Sequence, residues 1–272
     1  MILGLSSTAS GILYATLAVG GVGLIIGIVL GIAGKVFAVE VNEKEIEVRE
    51  ALPGNNCGGC GFPGCDGLAA SIAKGESDPG ACPVGGAEVA KNIAEIMGVE
   101  ANVIKKYAYV KCMGDCDKAP VKYDYYGNTS CQDAANIPGG GAKSCSYGCL
   151  GLGSCVKACE FDAIYIENGI AVVDKEKCKA CGKCIEACPK NLISMVEEDY
   201  KYIVSCMSKD PGVQVMKNCS EGCIGCSLCV KNCPFDAIEF ENNLATIDQD
   251  KCKKCGICFN KCPKKIIKKI AE

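Results

Sequence analysis

The sequence predicts a multidomain α+β protein carried on one N-terminal transmembrane helix. Three observations lead there. The first 34 residues carry no charged side chain. Of the 272 residues, 25 are cysteine and none is histidine. From Cys145 onward the cysteines recur with a period of 74 residues.

The anchor comes first, over residues 1–34. Gly11 to Ala33 is an unbroken apolar run. As a helix it extends about 35 Å, enough to cross a hydrocarbon core of about 30 Å with some tilt. A cleavable signal needs a basic leader and a small-residue cleavage site, and neither is present. Lys35, Lys44 and Arg49 follow the span with no basic side chain before it, so the positive-inside rule places the C-terminal bulk in the cytoplasm. Gly23, Gly27 and Gly31 fall on one helix face, a spacing that admits a second transmembrane helix. A charged connector, residues 35–50, links the anchor to the rest.

Cysteine this dense fits disulfides, zinc modules or iron–sulfur clusters. Disulfide scaffolds are short secreted domains, and an odd cysteine count leaves one unpaired. Without histidine there is no Ser-His-Asp triad, no Cys-His pair, no histidine-ligated zinc and no Rieske-type centre. The formal charge is −3. Each oxidised cubane on four thiolates adds about −2, so five sites take the chain to roughly −13. That charge argues against nucleic acid and for redox work.

Residues 51–100 hold the first motif, Cys57-x2-Cys60-x4-Cys65-x16-Cys82. Its glycines let the backbone wrap and aim amides at the sulfurs, which helps set a cluster's potential. Helical spacing in GLAASIAKG and GAEVAKNIAEIMG makes this a small helical module for one [4Fe–4S] cluster. Four cysteines also suit zinc, although zinc motifs usually run as two CxxC pairs.

Residues 145–205 and 206–272 are two copies of one unit. A shift of 74 carries CVKACEFDAI onto CVKNCPFDAI, and a shift of 29 inside each copy shows a further doubling. Apolar stretches with turns at Asn168-Gly169 and Asn242-Asn243 predict hairpins. Three quarter-units read C-x2-C-x2-C-x3-C-P: Cys178-Cys181-Cys184-Cys188, Cys223-Cys226-Cys229-Cys233 and Cys252-Cys255-Cys258-Cys262. This resembles the bacterial two-cluster ferredoxin, in which the fourth cysteine serves the other cluster. The resemblance implies two tandem ferredoxin-type folds. It groups Cys223, Cys226 and Cys229 with Cys262, then Cys252, Cys255 and Cys258 with Cys233, and Cys178, Cys181 and Cys184 with Cys159.

The fourth quarter-unit departs from the pattern. Leu152 stands where its second cysteine belongs. Either Cys145 joins Cys149, Cys155 and Cys188, which is the favoured reading, or three cysteines hold a [3Fe–4S] cluster. Cys219 occupies the place of Cys145 in the complete second copy, which weighs against a ligand role. Cys112, Cys116, Cys131, Cys206 and Cys219 remain. In the linking region, 101–144, Cys112, Cys116 and Cys131 are candidates for a sixth cluster, with Cys145 or a distant residue as fourth ligand. The plainer reading is buried thiols packing as small hydrophobes. The flanking KYAYVK and VKYDYY read as strands.

Two further features bear on function. Residues 138–144, PGGGAKS, hint at a phosphate loop but lack the glycine before Lys143, and there is no dinucleotide fingerprint. Lys264, Lys265, Lys268 and Lys269 form a solvated face or steer an acidic partner such as soluble ferredoxin.

An anchor, then NCGGCGFPGCDG with a distant cysteine, then ferredoxin repeats together resemble the B subunits of Rnf complexes, in the long form. For that family the resemblance implies membrane-bound electron transfer from reduced ferredoxin toward NAD⁺, coupled to Na⁺ or H⁺ movement, with NAD⁺ reduced on another subunit. It also implies membrane subunits as partners and at least five [4Fe–4S] clusters. The distal repeats would receive electrons and the module near the anchor would release them. A polyferredoxin serving another membrane reductase or hydrogenase and a non-redox zinc or thiol scaffold are the alternatives.

Overall fold

The computed structural model describes residues 7–36, 42–100 and 104–270. Residues 37–41 of the expected connector and 101–103 of the linking region lie outside them, as do the first six residues of the anchor. The chain divides into two units, Met1–Glu43 and Lys44–Glu272.

The first unit is α1 (Ser7–Val36), 30 residues without proline or charge until Lys35. Its large side chains point outward on every side: Leu17, Leu24 and Leu30 are each more than 60% exposed. Water does not reward so apolar a surface, whereas lipid does, and the helix satisfies its own backbone groups. Gly11–Lys35 is long and apolar enough to cross a membrane.

The second unit opens with three helices, α2 (Glu43–Ala51), α3 (Cys65–Ala73) and α4 (Gly86–Met97). The charged stretch up to Glu50, expected as a mere connector, folds into this unit. Helix α2 turns Val48 inward, and Leu52 follows, so both join Leu68, Ile72 and Ile93 in one core. Each such side chain contributes about 1.5–3 kcal/mol through burial. The Asn56 side-chain carbonyl accepts the Cys65 amide at 2.8 Å, closing the start of α3. At its other end, α4 stops on Gly98, whose φ of 71° is left-handed.

The remaining chain runs β1 (Lys106–Val110), α5 (Cys131–Ala135), α6 (Ser154–Lys157), β2 (Ile164–Glu167), β3 (Ile170–Val173), α7 (Lys183–Glu186) and β4 (Ile193–Glu197). It continues through β5 (Tyr202–Val204), α8 (Gly212–Asn218), α9 (Leu228–Lys231), β6 (Ile238–Glu241), β7 (Leu244–Ile247), α10 (Ile257–Lys261) and β8 (Ile267–Lys269). All sheets among the described residues are antiparallel pairs: β2 with β3 and β6 with β7 as hairpins, β1 with β4 and β5 with β8 as closures. Both hairpins turn on two left-handed residues, Asn168-Gly169 and Asn242-Asn243, the geometry that matches strand twist.

The duplication is visible in the backbone. Val110 pairs with Ile193, and Val204 pairs with Ile267. The partners in β4 and β8 differ by 74 residues, but Val110 and Val204 differ by 94. The offset changes because the first copy carries a longer connector, residues 114–144, than the second, 208–218. Each copy encloses its own core, one around Val110, Ile164 and Leu192, the other around Val204, Ile238 and Ile266. KYAYV forms β1 as expected, but VKYDYY makes only one isolated bridge, Val121 to Lys143. Val121 and Tyr126 stay exposed, so no burial rewards a strand there.

Candidate functional site

The cysteines sit where the chain wraps between a loop and a short helix. A left-handed glycine, Gly182 (φ 85°) in one regular motif and Gly256 (φ 77°) in another, precedes the helical turn that carries the third cysteine. All 25 cysteines are free thiols. Among the described residues no three such donors close on a single metal ion. Where the sulfurs gather, they ring cavities instead.

In the second copy Cys223, Cys226, Cys229 and Cys262 line one pocket with Phe240 and Ile267. Burial, with these three neighbours, pushes the Cys229 thiol up to about 11. Cys252 and Cys255 surround Cys258, likewise raised to about 11 by burial, and Cys233 packs against the same core. Cys178, Cys181 and Cys159 surround Cys184, which burial raises to about 12. Backbone amides of Ala108 and Ala163 donate to Cys178 and Cys159, each at 3.4 Å. The grouping of Cys223, Cys226 and Cys229 with Cys262 and that of Cys178, Cys181 and Cys184 with Cys159 are therefore neighbours in space.

The irregular quarter-unit differs from the expectation. Cys149, Cys155 and Cys188 do share a pocket, but the fourth cysteine on its wall is Cys131, not Cys145. The Cys155 thiol, raised to about 12 by burial, has Cys149, Cys131 and Cys188 as its sulfur neighbours. The reason lies in the long connector. Its helix α5 docks on the motif: the Cys131 amide donates to Ser154 Oγ at 2.8 Å, and Gln132 Nε2 donates to the Ala187 carbonyl at 2.8 Å. Those contacts put Cys131 in the place that Leu152 leaves without a sulfur. The set has four sulfurs rather than three.

The proposed trio of Cys112, Cys116 and Cys131 is dispersed. Cys116 is exposed beside the β2–β3 turn, its amide donating to the Asn168 carbonyl at 2.9 Å. Cys112 lines one pocket together with Cys145, Cys206 and Cys219. The sequence held the signal in two repeated phrases: CSYGC at 145–149 falls on CSEGC at 219–223 under the 74-residue shift, whereas VKCM at 110–113 and VSCM at 204–207 lie 94 apart and that shift does not align them.

In the helical module Cys60, Cys65 and Cys82 face one another. Cys65 and Cys82 are buried, and the Gly85 amide donates to the Cys82 sulfur at 3.4 Å. Cys57, on the glycine loop, lies next to Cys181. The approach is tight: a Cβ on Gly59 would stand 2.9 Å from the Cys181 carbonyl oxygen. Cys60, Cys82 and Cys178 line one cleft.

Burial raises the thiols of Cys155, Cys184, Cys229 and Cys258, so a metal entering these sites must displace their protons and supply the charge the thiolates need. Amides pointing at sulfur favour the anionic ligand. The PGGGAKS loop does other work. Lys143 is buried, and its Nζ donates to the carbonyls of Gly114 at 2.8 Å and Gly169 at 2.7 Å, tying the connector to the β2–β3 turn. At the C-terminal end, Lys264 donates to the Ser220 carbonyl and Lys268 reaches Glu221 at 3.9 Å, leaving Lys265 and Lys269 exposed.

Antiparallel hairpins around paired four-cysteine sets define an iron–sulfur protein of ferredoxin type. Residues 52–84 match the family model for an Fe-S cluster, and residues 177–237 and 222–266 match the 4Fe-4S dicluster domain. The first dicluster match joins two regular motifs across the boundary of the copies, whereas in space Cys184 neighbours Cys159. The motif governs the match, and the fold governs the pairing.

Relatives span nearly the whole chain. The chain is 51% identical to the B subunit of the Na⁺-translocating ferredoxin:NAD⁺ oxidoreductase complex of Acetobacterium woodii, over 89% of this chain and 73% of that protein. It is 46% identical to the proton-translocating counterpart of Clostridium ljungdahlii, over 92% and 90%. It is 43% identical to the B subunit of the ion-translocating oxidoreductase complex of Methanosarcina acetivorans, over 95% and 98%. The chain belongs to this B-subunit family of Rnf-type complexes.

Proposed function

We propose that this chain is the membrane-anchored electron-transfer subunit of an Rnf-type complex. It takes electrons from reduced ferredoxin on the cytoplasmic side and passes them to membrane subunits. The complex reduces NAD⁺ and moves Na⁺ or H⁺. Family membership supports the complex, and α1 supports its attachment to the membrane. The single observation that carries the path is the succession of cysteine sets from the C-terminal copy to the module that follows the anchor in sequence.

Five sets are assigned as [4Fe–4S] ligands: Cys252, Cys255, Cys258 and Cys233; Cys223, Cys226, Cys229 and Cys262; Cys131, Cys149, Cys155 and Cys188; Cys159, Cys178, Cys181 and Cys184; and Cys57, Cys60, Cys65 and Cys82. Bound clusters would supply one-electron redox chemistry with no bond made or broken. The chain's residues hold the metal, point amides at sulfur, exclude water and fix spacing. Cys258 neighbours Cys229 of the next set, and Cys181 neighbours Cys57 of the module. Cys226 and Cys255 are exposed, so the C-terminal copy offers the accessible end to a soluble donor. Lys265 and Lys269 give that end a positive edge suited to an acidic ferredoxin.

The test separates the two ends. In the full chain purified anaerobically, Cys57→Ala should leave reduction of the C-terminal sites by ferredoxin intact, while ferredoxin-dependent NAD⁺ reduction in membranes is lost. A folded variant that also loses C-terminal reduction contradicts the order.

A further inference from the structure

We propose that Cys112, Cys145, Cys206 and Cys219 form one more four-sulfur site, holding a [4Fe–4S] cluster at the junction of the two copies. The inference rests on the iron–sulfur reading above and adds a centre that neither copy could build alone.

Geometry gives the first argument. The four cysteines line one pocket, as the four-cysteine sets of two other sites line theirs. Leu192, Val215 and Ile266 supply apolar wall beside the sulfurs. A thiol that merely packs as a small hydrophobe fills its own space. Here four sulfurs border a shared space instead.

Symmetry gives the second. Each copy supplies one cysteine from V-x-C-M and one from C-S-x-G-C. The two V-x-C-M segments follow equivalent strands, since Val110 pairs with Ile193 as Val204 pairs with Ile267. The methionines interlock across the junction: Met113 packs on the core of the second copy, and Met207 touches both cores. Two equivalent pairs facing one another make a complete ligand set for a four-iron cubane.

Backbone amides give the third. The Cys149 amide donates to Cys112 Sγ at 3.4 Å, and the Cys223 amide donates to Cys206 Sγ at the same distance. Amides of Tyr147 and Gly148 serve Cys145, and those of Glu221 and Gly222 serve Cys219. Every sulfur of the set thus meets a donor placed to favour a thiolate.

Those same bonds fix the site's place in the path. Cys149 belongs to the set with Cys131, and Cys223 to the set with Cys226. The junction site therefore abuts one set from each copy and closes the gap between them. A cluster held by these four cysteines would take one electron from the set on the Cys223 side and pass it to the set on the Cys149 side, with no proton or bond moved.

The test counts iron and acid-labile sulfide in the full chain, purified anaerobically in detergent, with EPR spin counting after reduction. Six cubanes give about 24 irons per chain. About 20 irons with five reducible centres in the wild-type chain overturns the inference and leaves the electron-transfer function standing. Cys112→Ala/Cys219→Ala should lose about four irons and one EPR centre, while Cys116→Ala loses none. A double variant that keeps the wild-type iron also overturns it. If the double variant does not fold, the wild-type count decides alone. A colourless chain holding zinc in place of iron removes the electron-transfer function and this site together.

Discussion

The two copies share strands, hairpins and left-handed turns, yet they fill one sulfur position in different ways. In the second copy Cys226 comes from the motif itself. In the first, Leu152 stands at that position, and Cys131 is delivered by a helix of the connector that docks on Ser154 and Ala187. The comparison teaches that a sulfur can be brought to a pocket wall by a distant segment. The longer connector places a cysteine beside the motif and conceals the equivalence of Cys112 and Cys206.

The largest effect should come from the ligand that differs. Cys131→Ala should strip or convert one cubane, losing about one to four irons per chain by anaerobic analysis, with a three-iron EPR signal where conversion occurs. Adding Leu152→Cys should restore the full count, because the first copy then carries the regular motif. An unchanged count in Cys131→Ala would return the ligand role to another residue.

Next come the two cores. Ile193→Ala and Ile267→Ala remove equivalent buried side chains, 5% and 1% exposed. Each should cost about 2–5 kcal/mol in thermal unfolding of the full chain. A much smaller loss in one copy would show that its cavity collapses where the other does not.

Lys143→Met removes an ammonium that holds two carbonyls, at a cost of about 2 kcal/mol. Proteolysis should then concentrate in residues 114–144, sparing the second copy. Cleavage unchanged there would mean that α5 alone holds the connector.

The smallest effect concerns turns. Ala180 (φ 52°) and Lys254 (φ 56°) occupy the same left-handed position 74 residues apart. Glycine at either should stabilise by about 1 kcal/mol, equally in both copies, read as a shift in unfolding midpoint. Unequal gains would show that the matching backbone hides different strain.

Much of this was legible because local chemistry specifies it. The apolar run of α1, the Asn-Gly and Asn-Asn turns and the regular motifs each depend on residues close in sequence. What was not legible depended on tertiary placement. Cys131 becomes a neighbour of Cys155 only through the docking of α5, so spacing alone points to Cys145 instead. Val48 reads as part of a charged stretch until α2 turns it inward. VKYDYY has strand-like residues but no surface to bury them. The pairing of Cys112 with Cys206 was available in V-x-C-M, but a 20-residue difference in connector length breaks the 74-residue register.

The most direct test of the path is to locate iron in the folded chain. Anomalous scattering at the iron edge from anaerobically grown crystals should show a cubane within the sulfurs of Cys131, Cys149, Cys155 and Cys188, and another joining the two copies at Cys112, Cys145, Cys206 and Cys219. Iron density that places Cys145 with Cys149, Cys155 and Cys188, leaving Cys131 bare, would contradict the account.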